Sequence, residues 1–358
     1  MKKVHEVLDQ ALHLKIGSGI AAAWGDLSKG NTAHVYYGGK ESHAPNALAI
    51  DPHTQFDLAS LTKVVATTSL YMRWVDQKKI DLNQAFPGHH HDFNFVQLLT
   101  HSSGLPAWKP FYESMHTRFG GAYELAKVSI EKKKKYFYEL LFSAVSEPLQ
   151  QKPGAKIVYS DLGFLLLSHF AEIVSHKNFD QVVQTDVWNR IFPKGEGFRF
   201  RPIQHRSMTP GIAATELCPW RGLLQGEVHD DNTWSMGGVA GHAGVFGTLT
   251  DVLKWMHALV EGKIASFSTL RQFSQSVYDS HGNRRALGFD QPSEDGSGST
   301  ANVFSGNSIG HLGFTGTSFW FDLDRGRYAI LLTNRVHPSR DDNRIRDLRR
   351  LFHGVAFL

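Results

Sequence analysis

Three short strings in this chain carry side chains that together could transfer an acyl group. Ser60-Leu-Thr-Lys63 sets a hydroxyl and an amine three residues apart, so on a helix they share one face and the amine can reach the serine oxygen. The preceding Phe56-Asp-Leu-Ala59 reads as extended chain, which puts Ser60 in the first turn. There its N–H is one of the donors that no helical carbonyl uses, and the helix dipole favours an oxyanion. If burial and neighbouring cations depress the Lys63 pKa, the amine can take the hydroxyl proton at neutral pH. Tyr159-Ser-Asp161 delivers a phenol to a loop-to-helix junction, where it could relay a proton between the serine and a leaving group. His311-Leu-Gly313-Phe-Thr-Gly316 reads as strand. Glycine at 313 would let a substrate approach the strand edge, and the Phe314 N–H could join that of Ser60 as an oxyanion hole.

Each string has a plainer reading. Ser60 could be an N-cap with Lys63 on the surface, and Ser129-Ile-Glu-Lys132 repeats the spacing on a lysine-rich helix. Tyr159 could pack under its loop while Asp161 caps the next helix. His242-Ala-Gly244 repeats the third string. What distinguishes the set is its order, with 99 residues from Ser60 to Tyr159 and 152 from there to His311.

The elements that must position these residues follow from periodicity. An amphipathic helix opens the chain through Val4, Val7, Leu8 and Leu12, and a hairpin joins Gly19–Trp24 to His34–Tyr37. Helical patterns then cover about 60–75, 95–100, 124–146, 161–175 and 180–191, with an irregular stretch from about 193 to 235. Thr248-Leu-Thr-Asp251 has capping-box spacing ahead of a helix at about 250–261. Three strands, 310–314, 318–323 and 328–333, precede a closing helix over 341–352, with a tight turn at Asp324-Arg-Gly326. Strands at both ends with helices between them predict an α/β (α+β) fold: one antiparallel sheet built from both termini, flanked by helices, with a mostly helical inserted subdomain. The expected division is a single domain over 1–358, its α/β part about 1–59 and 236–358 and its helical, irregular part about 60–235.

Composition excludes more than it selects. A net charge of +4 over 358 residues gives little pull on a polyanion, and the run Lys132–Lys135 lacks interleaved aromatics, so no nucleic-acid partner is expected. Cys218 is the only cysteine, which rules out an internal disulfide and a multi-cysteine metal site. No window approaches the ~18 apolar residues of a membrane span. Two lysines at the N-terminus precede no apolar stretch, so the expectation is a soluble cytoplasmic protein, or a periplasmic one if a leader has been removed.

The ordered set Ser60-x-x-Lys63, Tyr159-x-Asp161 and His311-x-Gly313 resembles the serine β-lactamase and penicillin-binding-protein superfamily. The likeness is nearest to its class C branch, with family VIII esterases and D-amino-acid-specific peptidases. Leu98-Leu-Thr-His-Ser-Ser-Gly-Leu-Pro106 and Gly237-Gly-Val-Ala-Gly-His-Ala-Gly244 look like that branch too. The resemblance implies a serine hydrolase forming a Ser60 acyl-enzyme with Lys63 and Tyr159, on a small ester, amide or D-peptide, without metal or organic cofactor. It implies that Asp161, His311, Gly313, His242 and Trp108 border the substrate. Two departures stand out: His311 where class C enzymes carry lysine, and Asp161 where they carry asparagine. Both are expected to weaken recognition of an anionic substrate and to favour a small ester or amide, with a D-amino-acid or muropeptide peptidase, a β-lactamase, and a silent binding protein on the same scaffold as the alternatives.

Three decoys complete the reading. Gly306-Asn-Ser308-Ile-Gly310 matches the nucleophile-elbow string, but a loop precedes Ser308 and a strand follows it, the reverse of what an elbow needs. His89-His-His-Asp92 reads as exposed loop rather than metal site, because adjacent histidines converge poorly on one ion. His229-Asp-Asp231 with His242 is better spaced, yet no metal is expected there either.

Overall fold

A computed structural model describes residues 2–30, 33–88, 90–202 and 211–358. Alternation along β1 (Gly19–Asp26) organises its centre. Ile20, Ala22 and Trp24 join one apolar cluster, while Ala21 and Ala23 join the other, as a strand buried on both faces requires. β5 (Arg327–Thr333) alternates likewise, with Ala329 and Leu331 on the first face and Tyr328, Ile330 and Leu332 on the second. The two strands pair antiparallel from Ile20 opposite Thr333 to Asp26 opposite Arg327. β2 (His34–Gly39) flanks β1, and β4 (Ser318–Asp322) and β3 (Ser308–Leu312) extend the other side, giving the order β3-β4-β5-β1-β2. The expected antiparallel sheet from both ends of the chain is therefore present.

Helices cover both faces. α1 (Lys2–His13) and α5 (Ile345–Ala356) pack on one through Val4, Leu8, Leu348 and Phe352. α4 (Leu249–Val260) packs on the other, where the Trp255 ring meets Phe319 edge-on at 4.9 Å. Its capping box is formed: Thr248 Oγ1 accepts from Asp251 N–H at 3.1 Å and the Asp251 carboxylate accepts from Thr248 N–H at 2.9 Å. The intervening helices bury α2 (Ser69–Asp76) and α3 (Asp161–Ser175) in a continuous core with Phe95, Leu98, Phe137 and Trp188.

Several boundaries differ from expectation for local reasons. The pattern over 124–146 is two helices, Ala122–Lys127 and Ile130–Val145, because Ser129 stops the first and caps the second by accepting from Lys132 N–H. Helices at Phe111–Phe119 and Phe267–Ser274 were not expected. β3 ends at Leu312, so Gly313 and Phe314 lie in the turn to β4 rather than on the strand. No helix among the described residues is long and apolar enough to cross a membrane.

Candidate active site

The chain enters the Ser60 turn under constraint. Phe56–Asp57 pairs with Val245–Gly247, and Ala59 then adopts φ +46°, a left-handed conformation that a side chain disfavours. Asp57 holds this kink. Its Oδ1 accepts from Ala59 N–H at 2.8 Å and its Oδ2 from His229 N–H at 2.7 Å. Burial pushes the Asp57 carboxyl pKa up, against the pull of these two donors. Two threonines of the β3–β4 turn fix the same segment: Thr315 Oγ1 donates to the Asp57 carbonyl at 2.7 Å and Thr317 Oγ1 to that of Leu58 at 3.0 Å. The expected helix after Ser60 is irregular, a 3₁₀ turn at Ala59–Leu61, then a π-helical stretch at Lys63–Thr68 and α2. The first bond inside the turn joins Leu61 N–H to the Leu58 carbonyl at 3.0 Å, so the Ser60 N–H lies outside it.

Lys63 is fully buried, and its Nζ touches three oxygens: Ser60 Oγ at 3.0 Å, Asp161 Oδ1 at 2.7 Å and the His242 carbonyl at 3.3 Å. Tyr159 lies over the same ammonium, its ring centroid 4.7 Å from Nζ. The condition of a depressed Lys63 pKa is not met. Burial does act to lower it, but the Asp161 carboxylate and Tyr159 outweigh burial and leave it raised. Asp161, expected to face substrate, spends its carboxylate on Lys63 while keeping one edge on the cleft.

Tyr159 is held from behind by His101. The rings lie 4.6 Å apart, and His101 Nδ1 accepts from Ser160 N–H at 3.0 Å. Ser160 Oγ donates to the Pro106 carbonyl at 2.7 Å and Asp161 N–H to that of Ala107 at 3.0 Å, which locks the junction onto the 101–107 loop. Burial, with Arg285 and Lys63 nearby, drives the His101 pKa well down, so this ring is neutral.

His311 is buried in the cleft wall, its ring 5.9 Å from that of Tyr159. Its Nδ1 donates to the Leu312 carbonyl at 2.9 Å, which leaves Nε2 as an acceptor without a protein partner. Burial, then Arg285 and Lys63, pushes its pKa well below the usual histidine value. The cation absent from position 311 is present elsewhere: Arg285 Cζ lies 5.2 Å from the Tyr159 ring on the cleft wall. The cleft holds about 930 Å³, and Trp108, Phe314 and His229 line it with the residues above.

One expected contributor, Gly313, acts differently. A Cβ at Gly313 would lie 2.0 Å from Thr317 Oγ1 and 2.8 Å from the Leu58 carbonyl, so the glycine serves the packing of the turn against the Ser60 segment, not substrate approach. His242 lines the cleft with Asp230, its buried ring placing Nε2 3.0 Å from Asp230 Oδ1, while its backbone carbonyl meets Lys63. Ser129 is exposed and caps its helix, and Ser308 starts β3 wholly buried. Among the described residues no group of three or more His, Cys, Asp or Glu side chains is placed to hold an ion; His89 lies outside them. Sequence reasoning passed over Asp57, His101, Arg285, Arg335 and Arg349. The Leu98–Pro106 string did include His101, whereas Arg285 lies in no motif.

The Beta-lactamase family model matches residues 16–353. The chain belongs to the beta-lactamase family. With that membership it is a serine hydrolase. Relatives within reach of sequence comparison include a "Putative D-alanyl-D-alanine carboxypeptidase" of Salmonella agona, 28% identical over 353 residues, covering 88% of this chain and 75% of that protein. A protein of the same name from Salmonella typhimurium is 28% identical over 323 residues, covering 80% and 70%. Among solved structures, EstCE1, a hydrolase with promiscuous acyltransferase activity, superposes with TM-score 0.73 at 20% identity over 99% of this chain and 98% of its own. A penicillin-binding protein from Bacillus halodurans gives TM-score 0.66 at 18% identity over 92% and 95%. At such identities these two establish the beta-lactamase-type fold alone.

Proposed function

We propose that the chain hydrolyses a small acyl compound through a covalent ester on Ser60. The observation that carries this reading is the position of Lys63 Nζ, 3.0 Å from Ser60 Oγ and 2.7 Å from the Asp161 carboxylate. As Ser60 Oγ attacks the carbonyl carbon, its proton passes to Lys63 Nζ in the free-amine form, and the Asp161 carboxylate holds the ammonium so formed. The oxyanion is held by the N–H groups of Ser60 and Phe314. Tyr159 protonates the leaving group. Water then attacks the ester carbonyl, and the same groups run in reverse to release the acid and restore Ser60.

For substrate we infer a short D-peptide or related amide bearing a carboxylate near the scissile bond. The relatives' names support this, and Arg285 beside Tyr159 supplies the cation that the neutral His311 does not. A short-chain ester is the second reading, supported by that same neutral His311. Purified protein assayed against a D-alanyl p-nitroanilide, p-nitrophenyl butyrate and a chromogenic cephalosporin, beside Ser60→Ala, tests both. Turnover of the anilide or the ester that disappears in Ser60→Ala is expected. Unchanged turnover in Ser60→Ala overturns the central reading. No turnover of any substrate, with no fluorophosphonate labelling of Ser60, points to a silent binding protein.

A further inference from the structure

Behind the Gly313–Phe314 turn stand two arginines in an unusual electrostatic position. Arg349, on α5, donates from Nη2 to the carbonyls of Gly313 and Thr317, both at 2.7 Å. Arg335 donates from Nε to the Phe314 carbonyl at 2.8 Å and from Nη1 to the carbonyls of Arg340 and Asp342, both at 2.7 Å. Both side chains are buried in the cleft wall. Among the described residues, every hydrogen bond from these two guanidinium groups goes to a backbone carbonyl. Nearby cations are treated differently: Arg340 is paired with Glu216 at 2.5 Å and Arg221 with Asp231 at 2.6 Å. Burial, with Arg335 and Arg346 close by, pushes the Arg349 pKa down to about 9. It still carries its charge at neutral pH, and among the described residues no carboxylate forms an ion pair with it.

The Gly313 carbonyl and the Phe314 N–H belong to one planar peptide unit. A cation bonded to the oxygen draws electron density from the nitrogen and makes that N–H a stronger donor, since linked hydrogen bonds polarise one another in a low-dielectric site. We propose that Arg349 is a positioning residue for acylation, polarising the Gly313–Phe314 peptide so that the Phe314 N–H binds the oxyanion more tightly than an ordinary amide. The inference rests on the reading that Phe314 N–H and Ser60 form the reacting centre. Arg335 fixes the other side of the same residue, its Cζ 4.4 Å from the Phe314 ring.

The test measures ester acylation and fluorophosphonate labelling of Ser60 in wild type, Arg349→Gln and Arg349→Lys, with Ser60→Ala and Phe314→Pro as references for the underlying reading. Removing one oxyanion donor outright costs about 10²–10³ in kcat, so Phe314→Pro sets the full loss. Losing only the polarisation, Arg349→Gln should lower kcat about ten-fold with KM little changed, and Arg349→Lys should recover most of it. Gln and wild-type rates within two-fold overturn the proposal, as does a Lys variant that falls as far as Gln with a raised KM, the signature of a loosened loop. Should Arg349→Gln fail to fold, the Lys variant decides. Its replacement amine is a weaker base than the guanidinium it replaces beside Arg335 and Arg346, so the high-pH fall in acylation should begin at lower pH than in wild type, and an unshifted fall overturns the proposal. A Phe314→Pro variant that acylates normally removes the oxyanion reading itself, separately from Arg349.

Discussion

The Lys63 ammonium is bound to the Asp161 carboxylate at 2.7 Å, across 98 residues of chain, in a site where Lys63 has no exposure to water. That pairing reverses the expectation for a lone buried amine. It raises the Lys63 pKa despite the opposing effect of burial, and so sets the pH at which the amine becomes free to accept a proton. In Asp161→Asn burial is left with far less opposition, and the Lys63 pKa falls. The acid limb of kcat/KM should therefore move to lower pH, while the plateau rate drops because the ammonium formed on attack loses its carboxylate partner. A pH–rate profile checks this, and an unmoved acid limb would show that the pair does not govern proton acceptance.

Gly313 is expected to be intolerant of alanine. The added methyl would press on the Leu58 carbonyl and Thr317 Oγ1, separating the Phe314 turn from the Ser60 turn. A displacement near 1 Å at reacting groups can cost roughly 10²-fold in rate. Gly313→Ala should lose about that much kcat/KM with an intact circular dichroism spectrum. Near-normal kinetics would mean the two turns move together and their spacing is not critical.

Asp57 should matter to both stability and rate. Asparagine keeps one acceptor but turns an NH₂ group toward Ala59 N–H or His229 N–H, leaving a buried donor without a partner. The expected cost is about 1–3 kcal/mol in urea unfolding. Ser60 labelling should slow in parallel, because the positive φ at Ala59 loses its support. Slower labelling without destabilisation would assign Asp57 a direct electrostatic part instead.

Acid sensitivity is expected from His353. The ring is buried, its Nδ1 donates to the Ser299 carbonyl at 2.6 Å, and burial pushes its pKa down to about 4. The unfolded chain binds a proton near pH 6.5 and the folded one does not, so this contribution is complete above that pH and is lost as pH falls toward 4. Between pH 7 and 5 the loss is about 2 kcal/mol. Unfolding of His353→Gln at both pH values should show a correspondingly flatter dependence, and an unchanged slope would place the acid sensitivity in other groups such as His101 and His311.

The sheet and the ordered motifs were readable because both rest on local signals. Short apolar β-type runs over 19–24 and 328–333 mark strands, and Thr248 with Asp251 marks a helix start. Ser60 and Lys63 meet because three residues of helix bring them together. What escaped depends on contacts across long stretches of chain. Nothing in the spacing of Asp57 and His229, or of Arg349 and Gly313, indicates that each pair is joined by a hydrogen bond. The role of Gly313 was misplaced for the same reason: the carbonyl that excludes its methyl belongs to Leu58, 255 residues earlier. The sequence leaves the direction of the Lys63 pKa shift as a condition, because it depends on how closely Asp161 approaches.

The pairing of β1 with β5 carries a consequence for biosynthesis. Strand 19–26 must wait for 327–333, and the Asn334 side chain, which accepts from the N–H groups of Ser18 and Gly19, closes that seam last. During translation the first hairpin therefore emerges with an unsatisfied edge and remains so for some three hundred residues, a strand edge open to misassociation. A ribosome-stalled nascent chain ending before residue 327 should depend on chaperone binding to stay in solution, and release from that dependence should coincide with emergence of the final strand.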